Sequence, residues 1–520
     1  MNFEVIYVSA VLLLMLWALI ADRMRPGLIL FSAVVLMLCG HIIDAKEAIE
    51  GFANKGMITV ALLYLVSEGV RKSGMLESII YRLLPKGKFG IERANLRFLP
   101  VISFLSAFLN NTPVVVIFAP MIKNWARKMH LPATKFLIPL SYATIFGGMC
   151  TLIGTSTNLV VDGLIIDAGY EGMQMFSLGK IGIFVAVVGL TYLIMVSKYL
   201  LPNERQSEQE VADATKVMSG HRRYEVMLST RFPGLGKSLH QFDFYHHYSA
   251  NVLAIRRAGE ILTGDWMNMR LTKEDTLIID AENDFRRLWG DSRVFWMISR
   301  VGEVEPPMGT RKRWLSLVLV FLMIFGATLG EMPFVKDVFP NVKLDMFFFA
   351  TVTTVVMAWT GMFNARRYTK FISWDVLITI ACAFGISKGM INSGFADFIA
   401  SYIIDLAETA RHSENGIYIM LAALYLITNI FTELITNNAA AALAFPLALS
   451  ISTKLGVDPM PFFICICIAA SAAFSTPIGY QTNLIVQGVG GYKFTDFVRV
   501  GLPLNIIVFL LTVFLIPLLY

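Results

Sequence analysis

Two stretches of this sequence place polar groups inside apolar runs. In the first, Ser103 to Pro120, the run is interrupted by Asn110-Asn111-Thr112-Pro113. In the second, Thr432-Glu433-Leu434-Ile435-Thr436-Asn437-Asn438 stands before apolar residues that reach Pro446. A second break follows each: Gly154-Thr155-Ser156-Thr157-Asn158-Leu159 and Gly479-Tyr480-Gln481-Thr482-Asn483-Leu484. An unpaired polar group in hydrocarbon costs about several kcal/mol, so a simple membrane span avoids them. Interrupted apolar segments at matching places in two halves point to a transporter binding site.

The residue types suit two kinds of ligand. Amide, hydroxyl and free carbonyl oxygens suit Na+, a hard cation. Helix N-termini offer open N–H groups and partial positive charge to an anion. An asparagine has both an acceptor and donors, so one residue can face both. Neither motif contains Lys or Arg. A dianion there has no fixed countercharge, and two nearby cations would offset much of the cost of bringing it to the midplane. The pattern therefore points to cation-coupled movement of an anion. Asparagine and threonine can also simply join helices inside a membrane, but the duplication of both motifs argues against that reading. Glu433 is a candidate proton site or the partner of a basic group.

The elements that must hold these motifs follow from composition. The 520 residues are 56% hydrophobic and 16% charged, against about 25% charged in soluble domains. With mean hydropathy +0.63, this is a polytopic membrane chain. The net charge of +6 speaks to orientation rather than to nucleic acid. The five cysteines lie in apolar segments without metal-ligand spacing, and read as small apolar residues. No enzyme, cofactor or resident metal is expected.

Spans are expected at 5–21, 27–43, 57–70, from Phe136 onward with a break at 154–158, and at 181–200. Residues 103–121 form a re-entrant hairpin. Its flanks are equally basic (Arg82, Lys86, Lys88 and Arg93 before; Lys123, Arg127, Lys128 and Lys135 after), so both are placed in the cytoplasm. The segment up to Arg97 is expected along the surface. The second half has spans at 315–329, 346–362, 374–390, 462–487 and 497–519, a surface segment at 395–408 and a hairpin at 418–449. Arg23 and Arg25 mark one inside loop, and Arg366, Arg367 and Lys370 another. The motifs recur at near-constant offset: 326 at the asparagines, 325 at the Thr-Asn pairs, and 320 where Ser67-Glu68-Gly69 aligns on Ser387-Lys388-Gly389. Glu68 and Lys388 are read as structural. The expected fold is an all-α membrane protein of two inverted repeats, each of five spans and one hairpin, with both termini extracytoplasmic.

Residues 203–310 separate the repeats 1–202 and 311–520. After a charged linker at 203–214, a core at 221–290 reads as a small α+β domain. Strands are expected at 225–229, 251–256 and 275–279, with turns at 234–239 and Gly259-Glu260. Arg311-Lys312-Arg313 holds this insert in the cytoplasm.

At Asn110-Asn111-Thr112 and Thr436-Asn437-Asn438 the chain resembles the divalent anion/sodium symporter family, over nearly everything outside the insert. The resemblance implies one Na+ at Ser106, Asn110, Asn111 and Gly154, and a second at Thr432, the Ile435 carbonyl, Asn437 and Gly479. It places the anion between them, against Asn111, Thr112, Asn437, Asn438, the region of Thr155, Ser156 and Thr157, and that of Tyr480, Gln481 and Thr482. It also implies a homodimer in the inner membrane, each protomer working as an elevator. Asn110 stands where the family has serine and Asn438 where it has threonine. Ser156-Thr157 and Gln481-Thr482 replace prolines common in dicarboxylate carriers.

The insert resembles the TrkA-C (RCK-C) regulatory module. The resemblance rests on Pro233-Gly234-Leu235-Gly236-Lys237-Ser238-Leu239, Asn251-Val252-Leu253-Ala254-Ile255-Arg256-Arg257 and Leu271-Thr272-Lys273-Glu274-Asp275-Thr276-Leu277. Such modules dimerise or sense small molecules, and anion carriers that hold one resemble sulfate transporters. The expectation is a Na+ symporter of a divalent anion, sulfate before C4-dicarboxylate. The expected partners are the anion, Na+, membrane lipid, a second copy of the chain and a small-molecule regulator, with no nucleic acid. The rival from another class is a ligand-gated channel or membrane sensor controlled by the insert.

Overall fold

The computed structural model describes all residues except 1–2, 22–23, 86–89, 204–220, 230, 258–259, 263–264, 274, 283, 290–291, 293, 301–309, 339–342 and 409–415. Arg23, Lys86, Lys88, Gly259, Glu274 and the linker beyond Asn203 thus lie outside the described residues. The first half holds α1 (Phe3–Ala21), α2 (Pro26–Cys39), α3 (Ala45–Glu50), α4 (Lys55–Ser73), α5 (Met75–Leu83), α6 (Ile91–Ser106), α7 (Asn111–Lys128), α8 (Thr134–Gly148), α9 (Ser156–Asp167) and α10 (Gly179–Leu200). The insert holds a sheet with α11 (Leu239–Phe242), α12 (Phe244–Tyr248) and α13 (Phe285–Trp289). Then follow α14 (Thr310–Gly330), α15 (Pro333–Val338), α16 (Met346–Trp359), α17 (Trp374–Asn392), α18 (Phe395–Glu408), α19 (Gly416–Leu434), α20 (Asn437–Leu455), α21 (Met460–Ser471), α22 (Gln481–Gly490) and α23 (Phe494–Leu519).

Among the described residues, 8 helical stretches are long and apolar enough to cross a membrane. They are α1, α3 with α4, α10, α14, α17, α19, α20 and α23. The expected spans 27–43 and 346–362 are shorter as helices. α2 and α16 have 14 residues each, below the roughly 17 a bilayer asks for. α2 stops at Gly40, whose N–H closes back on Leu36 and Leu38, and Thr360 ends α16 in the same manner on Val356 and Ala358.

The first hairpin also differs from expectation. Its leading arm, α6, begins at Ile91 rather than near 103. Arg93 and Arg97 on its exposed face suggest a surface segment, but Ala94, Asn95, Phe98, Leu99 and Ile102 are buried on the other face. A helix with one polar stripe fits equally well against a protein core. The two hairpins are thus α6–α7 and α19–α20.

Burial sorts the helices into inner and outer sets. Every residue of α8 is buried, as is α21 from Phe462 to Ser471. Helices apolar all round belong inside a large assembly of helices. α1 and α14 instead expose Leu13, Trp17, Phe321 and Phe325, a surface suited to lipid. The broken segments α8–α9 and α21–α22 therefore occupy the middle of the membrane part.

The insert forms a five-stranded antiparallel sheet in the order β3-β2-β4-β1-β5. The strands are β1 (His221–Leu228), β2 (Ala250–Arg257), β3 (Glu260–Ile261), β4 (Thr276–Glu282) and β5 (Phe295–Arg300). Its own core contains Tyr224, Val226, Ile279, Phe232, Tyr248 and Phe295. The expected turn at 234–239 turns on Gly236, at φ +79, where a side chain would be strained.

The insert is docked onto membrane helices, not merely linked to them. Lys123 of α7 donates to Glu225 of β1 at 3.1 Å and to the Val489 carbonyl of α22 at 2.8 Å. Arg127 stands 3.6 Å and Arg256 3.9 Å from the same carboxylate. Thr276 of β4 donates to the Gly488 carbonyl at 3.4 Å, and Met227 packs into the main membrane core. Arg231 faces Arg25 and Asp375. Burial and then the Arg25 charge lower its pKa, while Asp375 opposes them. At this same end, Arg313 donates to Ser78 at 3.2 Å, and Lys72 stands 4.8 Å over the Phe371 ring.

Candidate functional site

Each hairpin turns within a few residues and starts its second helix on the motif asparagine: α7 begins at Asn111 and α20 at Asn437. Each broken segment restarts just after its glycine, α9 at Ser156 and α22 at Gln481. The chain thereby starts two helices in each half within the polar motifs. Close packing depends on α8, where a Cβ on Gly148 would stand 2.9 Å from the Asn111 amide.

The same hydrogen bonds occur in both halves. Ser106 Oγ pairs with the Asn111 amide at 2.7 Å, and Thr432 Oγ1 with Asn437 Oδ1 at 2.9 Å. Thr151 Oγ1 donates to the Ala107 carbonyl, as Thr476 Oγ1 does to the Glu433 carbonyl at 3.1 Å. Each of these threonines also accepts the glycine N–H, from Gly154 at 3.1 Å and from Gly479 at 3.1 Å. Asn158 closes the first break on the Gly148 and Thr151 carbonyls, at 3.0 and 2.9 Å. Asn483 closes the second on Ala473 and Thr476, at 2.8 and 3.1 Å. Thr151, Thr476, Asn158 and Asn483 were not among the expected ligand-binding residues. The signal was present, since the offset of 325 pairs Thr151 with Thr476 and Asn158 with Asn483.

The halves then interlock. Tyr480 OH donates to the Asn111 amide oxygen at 2.6 Å, and Thr112 Oγ1 to Gln481 Oε1 at 3.3 Å. Thr155 Oγ1 lies 3.2 Å from the same phenol, which Asn437 also reaches. On the opposite side, Ser156 and Thr157 donate to Asn438 Oδ1 at 3.2 and 3.0 Å. Thr482 is drawn aside to Ser141, 2.9 Å away. Asn110 occupies the position before α7, and its side chain makes no capping bond. Ile435 lies in the break between α19 and α20, its N–H closing the first arm on Phe431 at 2.8 Å.

Three protein oxygens gather around one end of the Asn111 amide. One terminal atom of its amide stands 2.7 Å from Ser106 Oγ, 3.0 Å from the Thr144 carbonyl and 3.2 Å from the Gly154 carbonyl. Of these, sequence reasoning missed Thr144, whose contribution is a backbone oxygen and so independent of residue type. Around Asn437, the single proton of the Thr432 hydroxyl is shared between Asn437 Oδ1 and the Ala470 carbonyl, 2.9 and 2.5 Å away, and Gly479 packs on the Thr432 carbonyl.

Glu433 is held by the Ser475 N–H at 2.8 Å and the Asn505 amide at 2.7 Å, not by a basic group among the described residues. Glu68 pairs with Arg71 at 2.7 Å, and Lys388 with Asp167 at 3.1 Å, so both serve as ion-pair partners.

A transporter of the anion/sodium symporter type combines these features: many apolar helices, broken segments and hydroxyl–amide clusters. The chain belongs to the CitMHS citrate transporter family, whose pattern matches residues 12–453 and 338–520. It is 30% identical to the uncharacterized transporter sll0640 of Synechocystis, over 94% of this chain and 92% of that one. It is 22% identical to sodium/sulfate cotransporter 1 of Chlamydomonas reinhardtii, covering 94% and 86%. Its fold is similar to the crystal structure of the Alcanivorax borkumensis YdaH transporter, with TM-score 0.51 and 12% identity over 99% of this chain and 98% of that one.

Proposed function

We propose that the protein is a Na+-coupled symporter of a small divalent anion, with sulfate preferred and a C4-dicarboxylate second. The observation that carries this is the pair of matching hydroxyl–amide clusters, Ser106–Asn111 and Thr432–Asn437, on either side of Tyr480. Each supplies oxygens for one Na+. Ser106, Asn111, Gly154 and the neighbouring Asn110 serve the first, and Thr432, Ile435, Asn437 and Gly479 the second. The anion lies between, against Thr112, Asn438 and the starts of α9 and α22. Four helix N-termini meet there, and their N–H groups and partial charges favour an anion. The two cations provide the countercharge that the side chains lack.

The two halves act as inverted repeats, moving this site past a fixed scaffold as an elevator in a homodimer. The basic loops gather at the end where the insert docks, which supports a cytoplasmic insert and extracytoplasmic termini in a cell (inner) membrane. The TrkA-C-like insert acts as a regulatory module. The sodium/sulfate relative and the absent prolines at Ser156-Thr157 and Gln481-Thr482 favour sulfate.

The test is uptake of labelled sulfate and of succinate into proteoliposomes with and without an inward Na+ gradient. Na+-driven sulfate uptake supports the reading, succinate alone changes the substrate, and no Na+ dependence removes the sodium sites. One observation favours a second reading, proton coupling. Glu433 Oε2 is buried and takes no hydrogen bond from the described protein. Uptake driven by a pH gradient in Na+-free medium would select it.

A further inference from the structure

α9 and α22 are matching helices that meet different neighbours. The offset of 325 that relates the Thr-Asn pairs also pairs Gly163 of α9 with Gly488 of α22. Each glycine is a point of close approach. A Cβ on Gly163 would stand 2.5 Å from Asn54 Oδ1 and 3.0 Å from the Phe384 ring of α17. The Gly163 carbonyl accepts from Asn54 Nδ2 at 3.3 Å. Asn54 in turn caps α4, taking the Gly56 N–H at 2.7 Å, and a Cβ on Gly56 would stand 2.5 Å from the Leu159 carbonyl. α9 therefore lies backbone to backbone against the start of α4.

Gly488 makes the same kind of contact, but with the insert. A Cβ there would stand 2.8 Å from Met227 Cε and 3.3 Å from Thr276 Oγ1. The Gly488 carbonyl accepts from Thr276 Oγ1 at 3.4 Å, and Met227 and Thr276 are each 1% exposed. A side chain of the sheet thus does at Gly488 what the capping residue of α4 does at Gly163. The helix that matches α4 is α17. Both have 19 residues, and Ser373 precedes α17 as Asn54 precedes α4. The Ser373 side chain makes no capping bond. The insert reaches this end as well, since Arg231 faces Asp375 in the first turn of α17.

We propose that the insert is a brake, which holds the carrier in this state by covering the surface of α22 that must pack on α17 in the opposite one. A carrier of two inverted repeats changes state by rigid-body movement of one part against the other, and the symmetry of the repeats then exchanges their contacts. Here α9 is packed on α4. In the opposite state α22 takes the corresponding place against α17, and the Gly488 carbonyl meets Ser373. A sheet carried along on Gly488 keeps α22 off that surface, so the stroke finishes only when the sheet leaves. This inference rests on the inverted repeats of the proposed symporter and adds the contact that regulates them.

The test uses the full-length chain in proteoliposomes, with labelled sulfate or succinate and an inward Na+ gradient. Thr276→Cys with Gly488→Cys brings two sulfurs within reach of each other. A Cβ at position 488 stands 3.3 Å from Thr276 Oγ1, bridged Cβ atoms lie roughly 3.5–4.5 Å apart, and the flexible Met227 tip can move aside. Oxidation should stop uptake and dithiothreitol should restore it. Wild type, with its five native cysteines, is carried through the same treatment, and mass spectrometry checks the bond. Met227→Ala weakens the docking without touching the ligand site. It should speed uptake by at least about twofold, because the docked state is less populated.

Undiminished uptake with the bond closed would overturn the brake, since a sheet that merely travels with α22 would not stop it. Uptake by Met227→Ala no faster than wild type would overturn it too. That second result decides alone where the cysteine pair does not close or stays inactive in dithiothreitol. Wild type without Na+-driven uptake of either anion would remove the proposed function along with the brake. Wild-type uptake beside either negative result leaves the function standing alone.

Discussion

The phenol of Tyr480 lies 2.6 Å from the amide of Asn111 across 369 positions of sequence. Thr155 and Asn437 reach the same hydroxyl. One side chain of the second half thus joins the hairpin and the break of the first half to its own hairpin. Tyr480→Phe removes all of these bonds while keeping the ring. Each net hydrogen bond is worth about 0.5–1.5 kcal/mol, so uptake should weaken about tenfold or more. An unchanged rate would remove Tyr480 from the site.

Asn111→Ala and Asn437→Ala should each abolish Na+-driven uptake, because each removes a cation oxygen and an anion donor together. Full Na+-driven uptake by both variants would show the site assignment to be wrong.

Ser106→Ala and Thr432→Val remove the hydroxyls bonded to those asparagines at 2.7 and 2.9 Å. Each should raise the Na+ concentration for half-maximal uptake by roughly two- to tenfold, the value of one hydrogen-bonding oxygen. A Na+ titration of initial rates reads this directly. Equal shifts in the two variants are expected from the matching geometry.

Gly479→Ala places a Cβ 2.6 Å from the Thr432 carbonyl. Backbone must move to make room, at about 1–3 kcal/mol. Melting temperature should fall, and Na+ dependence should weaken with it. A variant of wild-type stability and Na+ affinity would mean that the break relaxes freely.

Lys123 and Glu225 are 4% and 6% exposed. Removing one partner takes away the nearest countercharge of a buried group; Arg127 and Arg256 still face Glu225, so the loss falls below the roughly 3–5 kcal/mol of a fully uncompensated buried charge. Lys123→Met and Glu225→Gln should each lower the melting temperature of the full chain. The double replacement Lys123→Met, Glu225→Met should regain part of the loss, which thermal unfolding followed in detergent would reveal.

Much of the site could be read from the sequence because it was written twice. The offsets of 325 and 326 located both hairpins and both breaks, and the structure builds the same bonds on each. Three things were not legible. The start of α6 was hidden because a helix with Arg93 and Arg97 on one face looks alike against water and against protein. The Thr144 carbonyl was hidden because backbone oxygens carry no residue signature. The docking of the insert was hidden because Lys123 and Glu225, at the end of one helix and in a distant strand, meet only after folding.

α7 and α22 both begin in the polar site and end beneath the sheet, where Lys123 fastens Glu225 to the Val489 carbonyl. The sheet is thereby fastened to the two helices that start at the candidate site. In the proposed elevator, whatever distance those two helices travel with the sheet docked, the sheet is hauled the same way, and drag on it becomes a load on the transport stroke.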